Sequence, residues 1–329
     1  MRKSLVVIAA LLACAGLFAA CGGDSDNGSS SSNAGPSAQP SARKLHIEFA
    51  MIGSTGDSFW NVVRNGAVQA GKDLGVEVTY HSTDKIDFVD QARLIRGALA
   101  RKPDALVVTD HEPKVLNPAI EQAVKAGIPV IITNAGRDEA RKVGAMAYVG
   151  QDEFQVGQLA GERLKEAGLK SLFCINQSVG AVNLDQRCDG LRKGFGGPVK
   201  VLGVDDADRT ASRNRIQAAL RSANVDGMLA LGQTSAEPAL QALQEAGKAQ
   251  QVKLATIDLS PTILTALKDG KMLFASDQQQ YLQGYLPVQT LALYLRYGLR
   301  PQGDVSTGPS YVTQQTAQQV IDLTKKGIR

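Results

Sequence analysis

Histidine is scarce in this chain of 329 residues: His46, His81 and His111 are the three, and each stands alone. No His/Cys/Glu grouping has metal-ligand spacing, so neither a metal centre nor a bound cofactor is expected. A Walker loop, a GxSxG elbow and a CxxC pair are all missing. The first strand-to-helix turn, GSTGDSF, lacks the GxGxxG that would bring backbone close to a pyrophosphate. These absences remove the common sequence grounds for proposing an enzyme. Aromatics make up 5% of the chain and include a single tryptophan, Trp60. Beyond the N-terminus no segment has eighteen consecutive apolar residues, so no membrane span is expected there. A formal net charge of +4, part of it Arg2 and Lys3, is too small for a nucleic-acid footprint.

What the N-terminus does contain is a short signal. Arg2 and Lys3 precede an apolar run from Leu5 through Ala13, then small residues up to Cys21. This pattern reads as a secretory signal peptide over residues 1–20. The stretch Leu17-Phe18-Ala19-Ala20-Cys21-Gly22 resembles a bacterial lipobox, with Phe18 where Leu is usual, and makes Cys21 the expected lipidation site. Leu11-Leu12-Ala13-Cys14 also fits but leaves a very short apolar region. Residues 21–43, rich in Gly, Ser, Asn and Pro, cannot bury enough surface to offset ordering entropy and read as a flexible tether. A body held outside the cytoplasm by a lipid anchor follows. In such an oxidising compartment Cys174 and Cys188 could bridge. They would close a loop of about 15 residues, worth roughly 3 kcal/mol in the chain-entropy model; the alternative is two buried thiols.

After the tether, short apolar runs alternate with amphipathic stretches. Strands are predicted at Ile47 to Ile52, Val76 to Tyr80, Ala105 to Val108, Pro129 to Thr133, Ser171 to Ile175, Val199 to Val204, Gly227 to Leu231, Leu254 to Ile257 and Leu273 to Ala275. Phe88, Ala92, Ile95 and Leu99 recur at helical spacing, as do Val156, Ala160, Leu164 and Ala167. Strands separated by helices of this length make parallel βαβ units, hence an α/β protein. The alternation restarts after Tyr148-Val149-Gly150-Gln151-Asp152, which favours two open-sheet domains of similar build.

Ligands of such sheets sit beyond the carboxyl ends of the strands. The loops there carry polar clusters: Asp57-Ser58 before Phe59-Trp60, Thr109-Asp110-His111-Glu112, Asn134, Gln177 to Arg187, Gln233-Thr234-Ser235, Asp258-Leu259-Ser260 and Asp277 to Gln280. Some have plainer explanations, since Asp57, Ser235 and Ser260 each precede a helix and could be N-caps. Together they suit a neutral ligand rich in hydroxyls. Asp, Asn and Gln can pair with adjacent hydroxyls, Arg donates a planar fork, and an aromatic face stacks on the C–H face of a sugar ring.

The segments GDSFWNVVRNGAVQAGKDLGV, AIEQAVKAGIPVIITNAG, VGQDEFQVGQLAGERL, NLDQRCDGLRKGF and ATIDLSPTILTALKDGKMLFASDQQQYLQGY follow one another in an order that resembles type I periplasmic solute-binding proteins. The likeness is to the ribose/galactose-binding family of sugar ABC importers and runs from about Lys44 to near the C-terminus. It implies two Rossmann-like open parallel-sheet lobes joined by a three-crossing hinge, residues 44–150 with 279–307 and residues 151–278 with 308–329. By the same resemblance Phe59 and Trp60 stack on the sugar, while Asn134, Arg187, Asp258 and Gln278 reach it with polar groups. Asp57, Asn183 and Gln233 join the candidate set. Thr109 or Asp110 falls where the family commonly has Asn, and the Gly232-Gln233-Thr234 loop replaces its usual Asn-Asp pair. Ala135 stands where ribose binders carry Arg, which removes one ribose-type contact. Phe59 could equally be core. The implied partners are a small neutral carbohydrate or polyol and the permease subunits of an importer, with the protein itself a monomer and no chemistry of its own. A sensor for a furanose-like signal is the other role open to this fold.

Overall fold

The computed structural model describes residues 43–53 and 58–329. The signal peptide, Cys21, the tether up to residue 42 and Asp57 lie outside the described residues. Elements alternate from the start: β1 (His46–Met51), α1 (Ser58–Leu74), β2 (Glu77–Ser82), α2 (Phe88–Ala100), β3 (Ala105–Val108), α3 (Pro113–Lys125), β4 (Val130–Thr133), α4 (Arg137–Ala140) and β5 (Ala147–Gly150). The pattern then repeats as α5 (Glu153–Glu166), β6 (Leu172–Asn176), α6 (Val182–Phe195), β7 (Val199–Gly203), α7 (Arg209–Ser222), β8 (Gly227–Ala230), α8 (Gln233–Glu245), β9 (Lys253–Ile257), α9 (Pro261–Lys268) and β10 (Ala275–Asp277). A long helix, α10 (Gln280–Tyr297), two short strands, β11 (Val305–Ser306) and β12 (Ser310–Val312), and α11 (Ala317–Thr324) complete the chain.

Two six-stranded sheets result, with the same topology. One has the order β2-β1-β3-β4-β5-β11 and the other β7-β6-β8-β9-β10-β12. The strands pair in parallel, except that β10 and β12 are antiparallel. The central strands β3, β4, β5 and β8 are buried along their whole length, which is why they read as continuous apolar runs rather than alternating ones. The chain passes from one sheet to the other between Gly150 and Glu153, between Asp277 and Gln280, and between Ser306 and Ser310. A hydrophobic cluster packs on each face of each sheet, one set around Ile47, Phe49 and Val107 with Leu106 and Ile132 opposite, the other around Met228 and Leu254 with Leu229 and Ile257 opposite.

Most predicted strands, Ala105–Val108 among them, lie within a residue of the observed ones at both ends, and the helices through Phe88 and Val156 fall where their spacing placed them. β5, β11 and β12 escaped the pattern reading. They span 4, 2 and 3 residues; β11 and β12 are short and only partly buried, while β5, as short as the detected β3 and β4, lies where the alternation was read as a break between domains.

In each lobe one close helix crossing fixes the geometry. A Cβ on Gly190 of α6 would lie 2.0 Å from the Phe154 carbonyl oxygen of α5, and one on Gly284 of α10 would lie 1.9 Å from the Val63 carbonyl oxygen of α1. Glycine is therefore required at both contacts, where backbones touch. A disulfide between Cys174 and Cys188 ties β6 to α6 in the second lobe.

Candidate functional site

The two sheets point their carboxyl ends at one cavity of about 100 Å³, lined from both sides. In the first lobe the strand order reverses between β1 and β3, the place where open α/β sheets bind ligands. Phe59 and Trp60, in the first turn of α1, line the cavity there, and so do His111 after β3 and Asn134 after β4. In the second lobe Gln177 follows β6, Gln233 follows β8, Asp258 ends β9 and Gln278 follows β10; all four line the same cavity. Asn183 and Arg187, one turn apart in α6, complete that wall.

The aromatic wall is a cluster, not a lone ring. Phe59 and Trp60 meet edge to face at 4.9 Å between centroids, Trp60 meets the His111 ring at 6.2 Å, and Phe88 stacks on His111 at 6.3 Å. Gly53 permits it, since a Cβ there would sit 3.2 Å from the Trp60 indole. Phe59 belongs at once to the hydrophobic core and to the cavity lining, so packing and ligand contact are not alternatives for it.

The polar wall is organised around a hydrogen-bond chain. Gln278 Nε2 donates to Asp258 Oδ1 at 2.5 Å, and Asn134 Nδ2 donates to Gln278 Oε1 at 3.3 Å. Asn134 Nδ2 also donates to Gln283 Oε1 at 3.0 Å. Asn134 and Asp258 end the equivalent strands β4 and β9, and both take left-handed backbone, with φ of 68° and 74°. Non-glycine residues held there turn their side chains out of the strand line, a strained arrangement that clusters at ligand sites.

Arg187 is buried and pairs with Glu153, through Nε at 2.6 Å and Nη2 at 3.1 Å, while its Nη1 donates to the Leu231 carbonyl at 2.7 Å. Burial alone would lower its pKa; the Glu153 carboxylate, and Asp258 beyond it, more than offset this and leave it raised. Asp206, held by the Thr234 hydroxyl, is pushed up chiefly by burial. The cavity wall thus carries charges that are already matched by partners, and a neutral ligand adds no unpaired charge to it.

The lobes touch across the cleft. Ser58 Oγ donates to Gln233 Oε1 at 2.8 Å, Gln186 Nε2 to Asp138 Oδ2 at 2.8 Å, and the Val182 amide to the His111 carbonyl at 3.4 Å. A second cavity of about 820 Å³ adjoins the first and shares Ile86, Gln177, Ser178, Asp206, Gln233 and Thr234 with it.

Of the residues singled out from sequence, the structure brings Phe59, Trp60, Asn134, Asn183, Arg187, Gln233, Asp258 and Gln278 to this cavity. Thr109 and Asp110 do not line it. Thr109 is fully buried and accepts from Gln91 Nε2 at 2.8 Å. Asp110 is buried against Gly136, and neither of its carboxylate oxygens has a hydrogen-bond partner. Burial, with Glu139 and Glu112 nearby, pushes its pKa up to about 7. Phe88 and Asp206 line the cavity without having been singled out, and His111 lines it without having been named a candidate. His111 belongs to the Thr109-Asp110-His111-Glu112 cluster read from sequence, where Thr109 and Asp110 were the members named as candidates. Among the described residues no group of three or more His, Cys, Asp or Glu could hold a metal, and no helix is long and apolar enough to cross a membrane.

Two doubly wound lobes with matched topology, three crossings and a shared cleft define a type I periplasmic binding protein. The family model described as periplasmic binding protein domain matches residues 47–299, and the chain belongs to that family as a sugar-binding protein of the ABC-transporter kind. It is 29% identical to a D-ribose/D-allose-binding protein of Pseudomonas aeruginosa over 70% of this chain and 76% of the relative. It is 24% identical to the fructose import binding protein FruE of Bifidobacterium longum over 88% and 90%. A carbohydrate transporter from Acidothermus cellulolyticus, solved in complex with myo-inositol, is 36% identical, with a TM-score of 0.81, over 87% of this chain and 100% of that one. These relatives are transport proteins rather than enzymes, and the family is extracytoplasmic.

Proposed function

We propose that the chain is an extracytoplasmic lipoprotein, anchored through Cys21, that captures a neutral monosaccharide or cyclic polyol between its lobes and delivers it to the permease of an ABC importer. The observation that carries this is the composition of one cavity: an aromatic wall of Phe59 and Trp60 from the first lobe faces amide and paired charged groups from the second. Aromatic faces suit the C–H surface of a saturated ring, and Asn, Gln, Asp and Arg suit its hydroxyls. Ala135, fully buried, leaves no guanidinium beside Asn134, which argues against ribose as the preferred ligand. The myo-inositol held by the Acidothermus relative brings cyclitols into the candidate set.

Ligand contacts drawn from both lobes exist together only when the lobes are closed, so binding shifts the population toward a closed shape that a permease can read. A thermal-shift panel of myo-inositol, D-allose, D-ribose, D-xylose, L-arabinose, D-galactose and D-fructose tests the reading. A member present at 100 times its Kd stabilises the fold by about 2.7 kcal/mol, a rise of several degrees in Tm. No shift with any member would remove the neutral-polyol reading.

A further inference from the structure

The inner cavity, with its aromatic wall, adjoins the larger cavity of about 820 Å³ on the side away from the hinge. The three crossings join the lobes at the β5, β10, β11 and β12 edges of the sheets, while β2 and β7 form the opposite edges. The outer cavity lies between those opposite edges. Asp84, Lys85 and Ile86 follow β2 in the first lobe, Asp205 to Ala207 follow β7 in the second, and all of them line it. Ligand pockets commonly measure about 300–1,000 Å³. The inner cavity alone, at about 100 Å³, falls short of that range, and the outer one falls within it.

The outer lining combines apolar and polar groups. Ile86 from the first lobe is 39% exposed and Val179 from the second is 73% exposed, and both line this cavity. Single exposed apolar side chains are ordinary on a protein surface, but these two are supplied to one cavity by opposite lobes. The charges along the wall balance, with Asp84, Asp205 and Asp206 set among Lys85, Arg209 and Arg215. A phosphate or carboxylate meets no excess of positive charge there, whereas hydroxyls, which both donate and accept, find partners of either kind. Gln177 and Thr234 line both cavities and are held by their own lobe: Gln177 Oε1 accepts from Ser235 Oγ at 3.1 Å, and the Thr234 hydroxyl donates to Asp206.

We infer that the cleft takes neutral glycosides as well as free single rings: one ring occupies the inner cavity against Phe59 and Trp60, and a second hydroxylated ring, joined to it by a glycosidic bond, occupies the outer cavity beside Ile86 and Val179. The inference rests on the neutral-polyol reading and extends it from one ring to two. Both lobes line the outer cavity as they line the inner one, so a second ring adds contacts that favour the closed form. The position of the link is restricted. Asn134, Gln278 and Asp258, hydrogen-bonded to one another, occupy the hinge side of the inner cavity, so the second ring must leave from a hydroxyl turned away from them.

Calorimetry tests it with the best binder of the sugar and cyclitol panel and with glycosides that carry a second sugar on each hydroxyl of that binder in turn. At least one glycoside is expected to bind the wild-type protein within about tenfold of the free ring, or more tightly. Ala207 and Val179 are exposed and line only the outer cavity. Ala207→Trp fills that space, and Val179→Asp removes its apolar contact and unbalances its charge. Each is expected to weaken the accepted glycoside by about tenfold or more and to leave the Kd of the free ring within about twofold, which also verifies the fold of the variant. Discrimination between the two ligands by either variant supports the inference, and discrimination by neither overturns it. Binding of every glycoside more than about tenfold weaker than the free ring also overturns it and leaves the polyol reading standing. Failure of every panel member to bind the wild-type protein overturns both.

Discussion

Asp110 and His111 are adjacent in sequence, yet burial moves them in opposite directions. The Asp110 carboxyl is raised to about 7, by burial first and then by Glu139 and Glu112, while the His111 ring is lowered to about 4, by burial first and then by Arg187. Burial favours the neutral form of each, but the consequences for pH have opposite signs. For Asp110 the folded pKa lies above the unfolded one, so its contribution is full below about 4 and is lost as pH rises toward 7. For His111 the folded pKa lies below the unfolded one, so its contribution is full above about 6.5 and is lost as pH falls toward 4. Through the shared window the two slopes oppose each other, and the wild-type melting curve hides both. Asp110→Asn keeps the shape and cannot ionise. Its Tm is expected to exceed the wild-type value at pH 8 and to converge on it at pH 4. The gap at pH 8 corresponds to a few kcal/mol at most, since each tenfold change in a proton-binding constant is worth about 1.4 kcal/mol. A gap of equal size at both pH values would mean that Asp110 matters through packing alone.

At the scale of elements, α5 and α6 form the platform that carries Arg187. Gly157 and Gly190 bring the two backbones together: a Cβ on Gly157 would lie 2.0 Å from the Arg187 carbonyl oxygen itself. Across this contact Glu153 in α5 holds the Arg187 guanidinium. Gly190→Ala must push the helices apart, a backbone shift of the kind that costs about 1–3 kcal/mol. The expected outcome is a lower Tm together with weaker ligand binding, measured by calorimetry at a temperature where the variant is fully folded. A lower Tm with unchanged affinity would separate the crossing from the site. None of this crossing was legible in the sequence, where Gly157, Gly161, Gly190 and Gly194 look like weak points in helices. What was legible follows from burial on both faces: β1, β3, β4, β6, β8 and β9 read as largely apolar runs, and the buried polar residues they do carry, such as Glu48 with Arg101 and Thr256 with the Ala230 carbonyl, are partnered. β11 and β12 left no such trace. The site was legible where a strand ended in a polar residue, as at Asn134, Asp258 and Gln278. Within the Thr109-Asp110-His111-Glu112 cluster the sequence does not say which member faces the cavity; the fold turns His111 to it and buries Thr109 and Asp110.

For the whole molecule, one contact between the lobes stands apart from the residues that line the cavity. Gln186 and Asp138 join across the cleft at 2.8 Å, and neither lines the cavity. Their bond contributes to the closed state without touching a ligand. A protein whose binding-competent state is populated to a fraction f binds with an apparent Kd raised by 1/f, so loosening closure weakens all ligands alike. The bond is exposed, which limits it to about 0.5–1 kcal/mol and the effect of Gln186→Ala to roughly a two- to fivefold rise in Kd. The expected signature is a uniform loss across every sugar or cyclitol that binds, with their order of preference unchanged. Small-angle scattering of the ligand-free variant should show the same or a larger radius of gyration than the wild type, and saturating ligand should bring both to one value. A changed order of preference would place Gln186 in ligand recognition instead. An unchanged Kd for every ligand would mean that closure is set by the cavity groups and the three hinge crossings alone, with Arg137 bound to Asp152 as the next contact to test at the hinge.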